Sequence, residues 1–227
     1  MSMCYIKKSL FIIFILLGFS IKAQDDFSLF SETSLSINHA VSQSYKMNFS
    51  FKGRAYLYED SELFVKQRQF ELGHFSTLNL NSRSSLSLGV MYRNRDWFED
   101  SSNEFRLTQQ YNKKGAIQYL RIGHRLRVEQ RFFETLTVHR LRYRFALDIP
   151  LSGEKLDVGE AYLITSSELL WSLSKNTPLL GNRVTLFIGW NSSEKLKIQL
   201  GIENRFSEFN QKLDYSLFIL PELVVKI

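Results

Sequence analysis

Cysteine is almost missing from this sequence: 227 residues contain one, Cys4. It precedes an apolar run, so it is not placed for lipoprotein-type acylation. If the first segment is cut away, no thiol remains. Disulfides, thiol catalysis and cysteine-based metal sites are then excluded. Blocks of like charge are absent too, and no nucleic-acid tail is indicated. Beyond residue 24 no apolar run approaches the roughly 18 residues of a transmembrane helix. There is no G-x-S-x-G, H-E-x-x-H or phosphate loop. No linker, low-complexity tract or close repeat interrupts the chain. What is present excludes disorder: 44% hydrophobic, 14% aromatic and 23% charged residues. Such a chain can bury a core as one large all-β domain or two smaller ones.

Residues 1–23 have the pattern of a secretory signal peptide. Lys7 and Lys8 form a basic start, Ser9 to Ile21 an apolar run, and Ile21-Lys22-Ala23 a cleavage site. As a helix the run would span about 20 Å, short of the roughly 30 Å hydrocarbon core. Removal takes three lysines and no acid, leaving 26 basic and 23 acidic residues. Half of the formal charge of +6 belongs to the leader.

The rest alternates. Tyr45, Met47, Phe49, Phe51, Gly53, Ala55 and Leu57 share one face of an extended strand; Lys46, Asn48, Ser50, Lys52 and Arg54 share the other. His139, Leu141, Tyr143, Phe145, Leu147 and Ile149 oppose Arg140, Arg142, Arg144 and Asp148 in the same way. A helix would scatter these sets, whereas a strand separates them. The pattern predicts strands near 27–38, 45–58, 64–80, 84–95, 103–111, 116–133, 137–149, 160–173, 182–191, 195–206 and 211–227. Turn chemistry marks Asn81–Ser84, Asn112–Gly115 and Asn191–Glu194. The 64–80 segment alternates poorly.

These segments are long. Soluble strands usually have about five or six residues, whereas a tilted strand needs about 9–11 to cross a bilayer. A small soluble barrel fills its interior with apolar side chains. Here the interior face would be charged and the apolar face would suit lipid. We therefore expect residues 24–227 to form an all-β, closed antiparallel transmembrane barrel. Its location would be the Gram-negative outer membrane. Parity favours twelve strands, with ten next, because single-chain bacterial barrels have even numbers. A secreted β-sandwich is the alternative. The last segment, from Leu213 to Ile227, resembles the terminal recognition strand of outer-membrane proteins and implies the barrel assembly machinery as a partner. It departs from that pattern in ending on Ile227 rather than an aromatic residue. Pro221 within it lacks an N–H, which points to a bulge or a seam.

The strongest constellation is Arg121, Arg125, Arg127, Glu129 and Arg131, followed by Arg140, Arg142, Arg144 and Asp148. Each set lies on one face of its strand. A two-residue turn at Glu134-Thr135 pairs Glu129 with Arg140, Arg127 with Arg142, Arg125 with Arg144 and Arg121 with Asp148. Facing arginines repel, so acids must come from elsewhere. Glu104, Glu160, Glu168 and Glu203 are the candidates. A turn at Asn112–Gly115 would also set Arg106 against Arg121. One reading is a salt-bridge network filling a narrow lumen, a role that suits the permanently charged five-donor guanidinium. The other is a surface that attracts a small anionic solute or headgroup, since rings of Arg and Lys favour anions.

Tyr92, Trp97, Phe98, Phe132, Phe133, Trp171 and Trp190 fall near strand ends, as an interfacial girdle would. Histidines are few: His39, His74, His124 and His139. His124 and His139 fall on the outer face, too far apart to act together. Catalysis is not expected, a lipid-modifying enzyme on the barrel wall being the lesser alternative beside an anion-preferring porin-like channel; cofactors and metal sites are not expected. The partners expected are outer-membrane lipid and the assembly machinery, with no nucleic acid, for a monomeric chain.

The segments beginning Glu104-Phe-Arg-Leu-Thr-Gln-Gln, His124-Arg-Leu-Arg-Val-Glu-Gln-Arg-Phe and His139-Arg-Leu-Arg-Tyr-Arg resemble the domain-of-unknown-function 2490 family. Ile149-Pro-Leu, Tyr162-Leu with Glu168, Asn182-Arg183 and Gly189-Trp190 extend the resemblance over nearly all of the mature chain. It implies a signal-bearing outer-membrane barrel of the Bacteroidetes type. It implies no activity.

Overall fold

A computed structural model describes residues 27–227 apart from Lys155. The expected leader with its expected cleavage site, and Cys4, lie outside the described residues. Eleven strands follow one another: β1 (Phe27–Ala40), β2 (Tyr45–Glu59), β3 (Glu62–Asn79), β4 (Ser84–Asn94), β5 (Glu104–Ile117), β6 (Leu120–Phe132), β7 (Thr137–Pro150), β8 (Ala161–Ser174), β9 (Thr177–Trp190), β10 (Leu196–Ser207) and β11 (Asp214–Lys226). Each pairs with its chain neighbours, and β11 returns to β1 to close a barrel.

The closure explains the strand count. Every hairpin reverses the chain, so an odd number leaves the first and last strands pointing the same way. They pair in parallel, from Phe27 with Tyr215 to Asn38 with Lys226. Parity predicts twelve strands; the barrel closes with eleven because this one pair is parallel. Pro221 lies in the seam strand. The ladder with β1 is interrupted between the Ser31–Ile219 and Ser34–Glu222 pairs, the interval holding the proline without an N–H.

The strands tilt steeply. Stepping from Tyr45 to each successive partner gives Leu78, Leu86, Tyr111, Leu126, Tyr143, Leu169, Asn182, Phe206, Tyr215 and then Phe27. Tyr45 begins β2 at one mouth and Phe27 begins β1 at the other, so one circuit crosses the full strand length. Such stagger belongs to a tilted, closed sheet. Almost every residue on this path is apolar or aromatic, and all point outward. Leu88, Leu169, Ile188, Leu200 and Trp190 are more than half exposed, with no second layer over them.

Three local expectations change. Asn112–Gly115 is not a turn: β5 runs through it to Ile117, and Gln118-Tyr119 makes the connection, with Gln118 at φ 53°. A II′-type hairpin needs positive φ at that position, a conformation that costs a glutamine some energy; the β5–β6 ladder, continued from Asn112–Arg125 to Ile117–Leu120, offsets it. β9 begins at Thr177 rather than 182, after a tight turn in which Lys175 and Asn176 both have positive φ. The poor alternation of β3 has a cause at Arg68. Arg54 pairs with Gln69 but Ala55 pairs with Gln67, so one extra residue enters the strand. Such a bulge reverses the inside–outside phase on its two sides.

The first mouth carries the start of β1 and the connections 60–61, 95–103, 133–136, 175–176 and 208–213. The second carries the connections 41–44, 80–83, 118–119, 151–160 and 191–195 and the end of β11.

Candidate functional site

Alternation turns a charged residue inward from nearly every strand. Side chains that share a level meet there. Arg93 pairs with both Glu71 and Glu104. Arg106 continues from Glu104 at 2.6 Å to Glu129 at 3.6 Å. Arg142 then joins Glu129, at 2.9 Å, to Glu168. This run, from β3 to β8, has no break. A second run joins Glu203 to Arg205 at 2.5 Å, Arg205 to Glu32 at 3.6 Å, and Glu32 to Arg54. β11 supplies Phe218 at the same level, and the Arg205 guanidinium lies 3.5 Å from its ring centroid. An odd ring of strands cannot alternate acid and base without a defect. Here an aromatic face stands at the seam.

Glu104 is the most heavily used acceptor. Its two oxygens take five hydrogen bonds, from Arg93, Arg106 and Arg131, at 2.6–2.8 Å. Glu104 and Glu129 have no exposed surface. Buried charges of this kind persist only when paired and hydrogen-bonded.

The β6–β7 pairing sets Glu129 against Arg140, Arg127 against Arg142, Arg125 against Arg144 and Arg121 against Asp148, the register read from the alternation. Arg127 is held by Gln110 Oε1, Arg125 by Asn112 Oδ1, and Arg140 by Ser172 Oγ. Arg144 has a buried Nε without a partner. Arg121 and Asp148 meet at 3.4 Å near the second mouth, outside the ring. Arg106 faces Arg131, not Arg121, because β5 is longer than the composition suggested. Glu160 takes no part in the lumen: it accepts from the Asp157 N–H in the 151–160 connection.

Sequence reasoning placed Arg54 on a polar strand face without joining it to the ring, met Arg183 only in the family resemblance, and missed Glu32, Glu71, Arg93 and Arg205. It also missed the inward aromatics Phe30, Tyr56 and Phe218, which pack together with Leu220 beside the seam. Phe30 and Phe218 stack at 4.8 Å, and Arg68 lies 5.2 Å over Phe30. A sequence signal marks three other inward aromatics. Gly89, Gly189 and Gly201 lie on the inner face opposite Phe75, Tyr162 and Phe187, and a Cβ at any of them would fall 2.4 Å from the ring. Glycine there admits an aromatic side chain across the neighbouring strand.

The ring separates two spaces. The first, of about 450 Å³, reaches the first mouth and is lined by eleven arginines and Lys52 against Glu32, Glu59, Glu71 and Asp214. The second, of about 390 Å³, faces the second mouth and is mainly neutral and polar, with Ser34, Ser36, Asn38, Asn48 and Gln110 in its wall. Lys52, Glu71, Arg106 and Arg127 line both. Arg127 of β6 also lies 5.4 Å over Phe75 of β3, a contact across the lumen. Arg95, in the connection after β4, donates to Gln69. Burial, with Arg93 and Arg68 nearby, pulls its guanidinium down to about 10.

On the outer face His124 Nδ1 is 2.9 Å from the Tyr143 hydroxyl, and His74 Nε2 is 3.1 Å from Ser76 Oγ. His74 Nδ1 is buried without a partner, and Ser76 Oγ is also 2.9 Å from the Tyr45 hydroxyl.

Fold and site together define a closed all-β barrel with an apolar exterior and an ion-paired interior. The chain belongs to the family described as "Protein of unknown function (DUF2490)", whose model matches residues 33–216. No curated protein matches it.

Proposed function

We propose that the chain is an outer-membrane β-barrel that binds at its lumen rather than conducts through it. The observation that carries this is the unbroken run of ion pairs from Glu71 to Glu168, set between two chambers. Salt bridges buried at both ends hold their geometry tightly along the lumen wall, and Arg127 reaches across to Phe75, which narrows the space between the two chambers. The half-exposed apolar exterior supports a lipid surround, since soluble monomers rarely leave so large a patch uncovered. Ring closure leaves no free strand edge, which favours a monomer. The terminal strand β11 would be the segment offered to the assembly machinery, and the leader would bring the chain there.

The same reading includes no catalytic centre. The His74–Ser76 contact lacks a group to orient the imidazole, and an unoriented histidine is a poor general base. We read it as hydrogen bonding on the outer wall.

A second reading, an anion-preferring passage, draws support from the arginine excess at the first mouth. Planar-bilayer recording separates the two. The proposal expects no discrete conductance steps from the purified barrel; anion-selective steps would establish the passage instead. Cell fractionation with heat-modifiable gel migration tests the location, and a soluble mature chain would overturn it.

A further inference from the structure

The chamber at the first mouth holds more positive charge than its ring needs. Arg140 donates to Ser172 Oγ at 2.8 Å, and Arg95 donates to Gln69. Among the described residues, no carboxylate lies within ion-pair distance of Arg95, Arg140 or Arg183, the three lining arginines the ring leaves over. Arg140 sits within electrostatic reach of Arg131 and Arg183 as well as of Glu129, which it faces across the β6–β7 ladder and which Arg106, Arg127 and Arg142 already share. Twelve cations line this cavity of about 450 Å³ against four acids, and the ring carboxylates Glu104, Glu129, Glu168 and Glu203 pair with several of them from behind; the residual excess at Arg95, Arg140 and Arg183 is what an anion would relieve.

We propose that this chamber is a binding site for a compact phosphate-bearing anion, held by Arg140 and Arg183 from one wall and Arg95 from the rim. The inference rests on the barrel reading above. Several features choose the ligand class. Planar guanidiniums bind phosphate oxygens in bidentate fashion, so multiple arginines favour a phosphate over a single carboxylate. The charge excess favours more than one negative charge on the ligand. The two aromatic faces in the wall, Phe30 and Phe218, are already covered by the guanidiniums of Arg68 and Arg205. Little apolar surface remains, so only an anionic head enters and any acyl portion stays outside. Ser28 and Asp214, at the beginnings of their strands, place the opening at the first mouth. A free phosphate compound and a phosphorylated lipid headgroup share this chemistry.

The test uses the full-length barrel, purified in an uncharged detergent at low ionic strength. Inorganic pyrophosphate is titrated in one arm, and mixed micelles containing phosphatidic acid in the other, with thermal unfolding and calorimetry as readouts. The comparison proteins are the double variant Arg140→Gln/Arg183→Gln and, at the other mouth, Arg121→Gln. Saturable binding that falls at least tenfold in the double variant and is unchanged in Arg121→Gln supports the site. Binding of pyrophosphate assigns a soluble source; binding confined to phosphatidic acid assigns a headgroup. Arg140 lies opposite Glu129 and Arg183 opposite Glu168 across their ladders, so the double variant's own stability does not discriminate. The readout is the ligand-induced shift in unfolding, which a purely structural role would leave equal in the double variant and the parent. Binding of neither probe, or equal binding by the double variant, overturns the site. Heat-modifiable migration is checked on every sample. Its loss in the unsubstituted protein would strike the barrel reading, whereas intact migration without binding strikes the chamber alone.

Discussion

At the residue scale, the lumen depends on a few carboxylates shared among many arginines. Glu104 is the extreme case, since three guanidiniums converge on its two oxygens. Replacing it by Gln keeps the shape and removes the charge, leaving Arg93, Arg106 and Arg131 as buried cations in mutual contact. Breaking a buried pair by removing one partner typically costs about 3–5 kcal/mol. Glu104→Gln should therefore lower the unfolding free energy by about that amount in urea titration of the detergent-solubilised barrel. Glu160→Gln, in an exposed connection, should stay within about 0.5 kcal/mol of the parent. Coincident midpoints for the two variants would contradict the shared-acceptor geometry. Glu104 was legible in the sequence because it falls on the polar phase of a clearly alternating strand. Phe30, Tyr56 and Phe218 were not legible. Each is an aromatic residue on a polar phase, and alternation alone cannot distinguish an inward aromatic that supports a guanidinium from an outward one that meets lipid.

At the element scale, legibility followed the regularity of each strand. β6 and β7 alternate without interruption and join through two residues, so face and register were both fixed by the pattern, from Arg121–Asp148 to Phe132–Thr137. β3 could not be placed so well, because the extra residue at Arg68 moves the inward set from even to odd numbers. β5 misled through composition: Asn112, Lys113, Lys114 and Gly115 are common in turns, yet their partners on β6 hold them in the ladder from Arg125 to Ile122. The outward assignment of β7 gives a depth test. Phe145 lies near the middle of the strand, and placing Lys there should cost about 2–4 kcal/mol in a bilayer. Leu63, at the first-mouth end of β3 and 81% exposed, should accept Lys at about 0–1 kcal/mol. Unfolding measured in vesicles checks both. Equal costs at the two sites would mean that the apolar face does not span a hydrocarbon layer.

At the scale of the whole molecule, the odd strand number has a consequence for orientation. An even antiparallel barrel would bring the start of its first strand and the end of its last to the same side. Here β1 begins at the first mouth and β11 ends at the second, because the two run parallel. The parallel seam and the offset Phe218 are two sides of one fact. Closure by β1 and β11 removes both free edges, and it also forces the ring of alternating charges to miss a step. The chain is well suited to a topological test, since its one cysteine, Cys4, precedes the strands of the barrel. Single cysteines at Ser101 and Asn210 should react from one side of the membrane, and a cysteine at Ser193 from the other. A tag after Ile227 should follow Ser193, whereas a residue inserted ahead of Phe27 should follow Ser101. Impermeant maleimide on intact cells and on opened envelopes reads all of these. If the two ends of the strand series instead reacted from one side, the parallel closure would be wrong. A twelfth strand, with the even parity usual in single-chain bacterial barrels, would then be required. The same labelling tells which side the arginine chamber faces. For a barrel in the outer membrane, as proposed, reaction of Ser101→Cys on intact cells would set the chamber outward, where it meets anions of the medium or of the outer leaflet; reaction only after opening would turn it to the periplasm.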